Sequence, residues 1–142
     1  MSNTTLTKNT TRLSWVMQLI AAVILGQTLF FKFTGAPEAV YIFTTLGVEP
    51  WGRIGTGVLE LITVLLLVIP NARGIAAGAA LAMGLMGGAI FSHLTRLGIE
   101  VQGDGGLLFG MAFVVLFASA IVLLLRRGDL PVVGPRLAAQ AA

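Results

Sequence analysis

Long uncharged runs divide this chain, and short polar links separate them. The first run extends from Leu13 to Phe31, between Arg12 and Lys32. As a helix it reaches about 28 Å, close to the thickness of the hydrocarbon layer of a bilayer. A second run, Trp51 to Ile69, is apolar except for Arg53, Glu60 and a few hydroxyls. Pro70-Asn71-Ala72-Arg73 then leads into a third, Gly74 to Thr95, and a link this short predicts an antiparallel helical hairpin. Arg96 to Asp104 is polar, and Gly103-Asp104-Gly105-Gly106 is turn chemistry with Asp104 as the expected N-cap. The fourth run, Gly105 to Leu125, stops at Arg126-Arg127. The pattern predicts an all-α polytopic membrane protein, a four-transmembrane-helix bundle with spans over about residues 13–33, 51–69, 74–95 and 105–125.

Three regions follow: a mobile, polar, cytoplasmic tail over 1–12, a membrane domain over 13–127, and a second cytoplasmic tail over 128–142 containing Pro131 and Pro135. Lys8 and Arg12 would also suit the basic flank of a secretory signal peptide, but the first run is too long and three more follow it. Asn3-Thr4-Thr5 and Asn9-Thr10-Thr11 match the glycosylation pattern, and in a cytoplasmic tail that match carries no meaning. Between the first two spans, Pro37 suits the first turn of a short helix and Gly47 its end. Ala39, Ile42, Phe43 and Leu46 would share one face, leaving Glu38, Tyr41, Thr44 and Thr45 on the other. Such a segment is expected either along the membrane interface or over the mouth of the bundle.

Composition agrees with lipid as the solvent. Only 11% of the residues are charged, against about 25% in soluble domains, and 56% are hydrophobic. The net charge of +3 does not describe a nucleic-acid binder, because the basic residues flank apolar runs instead of forming a patch. Lys8, Arg12, Arg73, Arg126, Arg127 and Arg136 fall on the side of the N-terminus, and Lys32, Arg53 and Arg96 on the other. That bias predicts cytoplasmic N- and C-termini. The chain has no cysteine, which excludes disulfides, thiolate metal sites, iron–sulfur clusters and a CxxC relay within it.

Glu60 is the most informative single residue. Nine positions beyond Trp51, it is expected about 13 Å below the outer surface, where a carboxylate must face the bundle interior, be paired or be protonated. Two readings stay open: a hydrogen-bonding lock between helices, or a group that binds ligand or protons. Arg53 is its likeliest partner by sequence, seven residues earlier on the same face with Thr56 between them. Arg53 could equally snorkel to the interface. Lys32, Gln27 and His93 join them in the outer half, so the ligand-pocket candidates are Gln27, Lys32, Arg53, Glu60 and His93. Lys32 and His93 also suit plain interface anchoring. One histidine cannot supply both axial ligands of a bis-His haem, and no metal site is expected. Met17, Met83, Met86 and Met111 read as packing residues. Gly74 and Gly78, then Gly84 and Gly88, are spaced for close helix packing, within the monomer first and across a homo-oligomer second.

Several local pieces together resemble the DoxX and DoxX-like family of small bacterial membrane proteins. They are Gly26–Lys32 (GQTLFFK), Gly57-Val58-Leu59-Glu60-Leu61, Ala72-Arg73-Gly74-Ile75-Ala76 and Gly87-Gly88-Ala89-Ile90-Phe91-Ser92-His93. The resemblance covers roughly Leu13 to Arg127 and implies a four-helix bundle in the bacterial plasma (inner) membrane. For some relatives it implies association with quinone-linked sulfur oxidation or redox complexes; it fixes no catalytic residues. The first expectation is thus an accessory subunit of a membrane redox system, with no redox centre of its own and a quinone or small polar ligand in an outer-half pocket. Its partners would be the lipid bilayer and soluble or membrane redox proteins. A non-catalytic scaffold that recruits partners, and a small transporter or channel subunit, are the alternatives.

Overall fold

A computed structural model describes residues 6–140; Asn3-Thr4-Thr5 and the extreme C-terminus lie outside the described residues. These residues form helices and turns without a strand: α1 (Lys8–Thr34), α2 (Pro37–Thr45), α3 (Trp51–Val68), α4 (Ala72–Ser92), α5 (Leu107–Leu125) and α6 (Gly134–Gln140). A π-helical turn, His93–Leu97, prolongs α4, and a 3-10 turn, Arg127–Asp129, follows α5. Helices α1, α3, α4 with its extension, and α5 are each long and apolar enough to cross a membrane.

These four helices stand in a square, with α3 and α5 each beside both α1 and α4. Alternating directions bring the start of α1 and the end of α5 together, and the Arg126 Nε–H donates to Ser14 Oγ at 2.9 Å. The far end of the bundle is the opposite one, where α1 finishes and α3 starts.

Local chemistry explains the element boundaries. The helix α1 begins at Lys8, inside the stretch expected to be tail, because Thr7 Oγ1 accepts the Thr10 N–H and caps it. It stops where Gly35 takes the left-handed conformation, φ 67°. The Asn71 side chain caps α4 by accepting from Gly74 N–H at 3.1 Å. The helix of the fourth span, α5, starts at Leu107, two residues later than expected, since Gly105 and Gly106 both have positive φ. Asp104 does cap it, but from outside the N-cap position: its carboxylate accepts from the backbone N–H groups of Val101, Gly106 and Leu108. Asp104 is held below the usual carboxylate range: burial alone would raise it, but those three backbone donors outweigh burial.

The core is built of small and branched side chains, including Ala21, Leu25, Leu67, Ala79, Ala82, Val115 and Val122. Much bulkier groups point outward; Val23, Phe30, Phe91, Phe117 and Leu124 are each at least 63% exposed. Polar Ser14, Gln18, Glu60, Thr63 and Ser119 are buried. Apolar bulk outside and polar groups within is the arrangement lipid imposes.

Gly78 and Gly74 face α3 as their spacing predicts. A Cβ on Gly78 would stand 2.8 Å from Leu66 Cβ, and one on Gly74 3.6 Å from Leu66 Cδ2. Gly84 and Gly88 do not pack against a neighbour, since a Cβ at either would meet nothing within 4 Å. The spacing is the same for both pairs, but the helices have diverged at the far end and left a space there.

Candidate functional site

That space is a cavity of about 370 Å³ in the far half of the bundle. Its walls come from α1 (Ile24, Leu25, Thr28, Lys32), α3 (Thr56, Glu60), α4 and its π turn (Gly84, Leu85, Met86, Gly88, Ala89, Ser92, His93, Leu97) and α5 (Leu108, Met111, Ala112). Ile42 and Phe43 of α2, with Leu46 just after it, close over the cavity. The amphipathic segment therefore caps the bundle mouth, with Ala39 and Phe43 buried beneath it.

The α1 wall explains how a charge comes to stand there. Ser14, Gln18, Ala21, Leu25, Thr28 and Lys32 recur at heptad spacing along one inward stripe, polar at both ends and apolar between. At its far end Lys32 Nζ lies 3.0 Å from Glu60 Oε2, with the side chains 15% and 6% exposed. Thr28 Oγ1 donates to the same oxygen at 2.8 Å. Gly57, one turn before Glu60, allows the approach: a Cβ there would stand 3.2 Å from the Phe33 ring and 3.6 Å from Lys32 Cβ.

Arg53 is not the partner of Glu60. Its guanidinium turns away from the cavity to Glu49, with Nη2 2.7 Å and Nε 2.9 Å from Glu49 Oε1, and its Nη1 donates to the Lys32 carbonyl. An acid one turn earlier reaches Arg53 more readily than one two turns later, while Lys32 on the facing helix is level with Glu60. Nor does Gln27 reach the cavity. It is exposed on the bundle surface, where its Nε2 donates to Met111 Sδ at 3.3 Å; Thr28, the next residue, occupies the inward position. Of the five candidates, Lys32, Glu60 and His93 are brought to one cavity, and Gln27 and Arg53 are not.

His93 opens the π turn and is 6% exposed. Its Nδ1 lies 2.7 Å from the Gly98 carbonyl. A carbonyl only accepts, so Nδ1 donates to it, and in the neutral imidazole Nε2 is then the acceptor. The ring meets Phe109 edge-on at 5.4 Å, and Phe109, Phe113 and Phe117 continue as an aromatic row along α5. Among the described residues no three metal-ligating side chains come together.

The sequence reading missed Thr28, Thr56, Ser92 and the two methionines, Met86 and Met111, that line this space. Thr28 was within reach of it: it lies four residues before Lys32 and so on the same face.

A second buried polar group lies at the opposite end. Gln18 Nε2 and Arg126 Nε both donate to Ser14 Oγ, at 2.6 and 2.9 Å. Asp129 is buried in the 3-10 turn just beyond, and burial pulls the Arg126 guanidinium down from its ordinary value, partly offset by Asp129. Residues 126–129 therefore pack against the end of the bundle.

Fold and site together define a multi-pass membrane protein whose four-helix bundle holds an ion pair and a histidine on the walls of one internal cavity. The model of the DoxX-like family matches residues 16–102, more than half the chain, and the protein belongs to that family. The matched region includes Lys32, Glu60 and His93 but ends before α5. No curated protein and no solved structure matches the chain.

Proposed function

We propose that the protein is a ligand-binding membrane subunit of a redox system, holding a quinone headgroup or a small polar ligand of similar size in the Lys32–Glu60–His93 cavity. One observation carries the reading: a mostly apolar space large enough for a single ring, with charge on one wall and an imidazole on another. Binding sites of this kind place a few polar groups in an apolar cleft to orient the ligand. The Lys32 ammonium is suited to an oxygen acceptor, and Glu60 and His93 to proton acceptance. The chain has no cysteine and so no thiol chemistry of its own; on this reading electrons travel on the bound ligand or a partner. On this reading the protein sits in the bacterial plasma membrane with both termini in the cytoplasm and the cavity opening outward, as the distribution of basic residues favours.

The test uses Lys32→Ala, Glu60→Gln and His93→Ala, each checked for folding in detergent and for binding of a short-tailed benzoquinone in its oxidised and its reduced form. Loss of binding by about tenfold or more in correctly folded variants is the expected result. Binding as tight as wild type in all three would contradict the proposal.

A further inference from the structure

The hydrogens on the cavity wall are already committed. Thr28 Oγ1 lies 2.8 Å from both the Leu25 carbonyl and Glu60 Oε2, so its one hydrogen stays within the protein. Thr56 Oγ1 donates to the Gly52 carbonyl at 2.8 Å, and Ser92 Oγ to the Gly88 carbonyl at 2.8 Å. His93 spends its Nδ1 proton on Gly98. What these groups still offer a ligand is lone pairs. Glu60 adds another acceptor: Oε2 takes Lys32 and Thr28, while Oε1 has no protein partner among the described residues. Lys32, with three N–H bonds and one acceptor engaged, is the side chain on the wall with hydrogens to spare.

We infer that the cavity selects a ligand that donates hydrogen bonds, the dihydroxy (hydroquinone) form of an aromatic ring in preference to the dicarbonyl (quinone) form. The inference rests on the proposed function and names the chemical state of the ligand at that same site. A quinone carbonyl can satisfy Lys32 but nothing else on the wall. A hydroquinone can accept from Lys32 and also donate, one hydroxyl to Glu60 Oε1 and the other to His93 Nε2. An acceptor-lined pocket facing an acceptor-only ligand leaves buried lone pairs unmatched, which costs more than a missing bond gains. The two forms share ring, tail and size, so the difference in binding isolates hydrogen-bond polarity.

Equilibrium binding of one short-tailed benzoquinone and its anaerobically reduced hydroquinone to the purified full-length protein tests the inference. The hydroquinone is expected to bind about tenfold more tightly, the effect of one additional well-made hydrogen bond to a charged acceptor. In Glu60→Gln, where an amide N–H₂ replaces an acceptor, the ratio falls toward one. His93→Phe weakens the hydroquinone more than it weakens the quinone, so the ratio falls. The wild-type ratio decides the matter even if a variant fails to fold. A ratio below about threefold, or a folded Glu60→Gln that keeps the full preference, overturns the inference while leaving the cavity a quinone site. If neither form binds, the proposed function falls and the inference with it.

Discussion

At Glu60, burial and ionisation are reconciled by two donors from α1. A lone carboxylate at this depth would cost several kcal/mol; Lys32 at 3.0 Å and the Thr28 hydroxyl at 2.8 Å offset that cost. The depth of Glu60 and its need for a partner were legible in the sequence. The identity of the partner was not. Arg53 shares a helix with Glu60 and can be found by counting, whereas Lys32 is a partner only once α1 and α3 are known to lie side by side. Gln27 shows the same limit on one turn of helix: polarity suggested an inward position, and the heptad stripe gives that position to Thr28. Asp104 is a more local case, since its turn residues announced it, and it yields a pH prediction. Its folded value is depressed, so the stability it contributes is complete above the unfolded value of about 3.9 and is lost as pH falls through the folded value. Asp104→Ala is expected to cost about 1–2 kcal/mol at pH 7. Thermal unfolding of both proteins should show that gap constant from pH 5 to 8 and closing below pH ~4; a gap that persists undiminished into strong acid would rule out the carboxylate as its source.

The helices themselves could be read along the chain, because runs of the right length bounded by charge leave lipid little choice. Even the short α2 was legible: its face of Ala39, Ile42, Phe43 and Leu46 is the one that covers the cavity. What the four-residue glycine spacing could not reveal is which pair meets a neighbour. Gly74 and Gly78 lie where α3 and α4 leave their short hairpin and are held close; Gly84 and Gly88 lie where the bundle opens. The two pairs should therefore respond oppositely to a methyl group. Gly78→Ala forces Leu66 and the Leu67 backbone apart and is expected to destabilise by about 1–3 kcal/mol. Gly84→Ala meets open space and gains helix propensity of up to about 1 kcal/mol, while narrowing the cavity. Unfolding in mixed micelles measures both, and equal destabilisation by the two would show that the cavity is not there.

Across the whole molecule, two polar interiors lie at opposite ends of one stripe on α1, with Ala21 and Leu25 between them. At the end near the termini, Gln18 and Arg126 both donate to the Ser14 hydroxyl. The far end is spacious and is capped by α2. On the proposed function a ligand enters from the face away from the termini, and the absence of cysteine from the chain makes that proposal directly measurable. Single cysteines at Ser92 on the cavity wall, Leu94 on the outer surface and Thr7 at the start of α1 would be treated with a membrane-impermeant maleimide in intact cells and in opened membranes. Ser92→Cys should label in intact cells and be protected by a bound quinone or hydroquinone, Leu94→Cys should stay unlabelled in lipid, and Thr7→Cys should label only after the membranes are opened. Labelling of Ser92→Cys and Thr7→Cys from the same side would contradict the account.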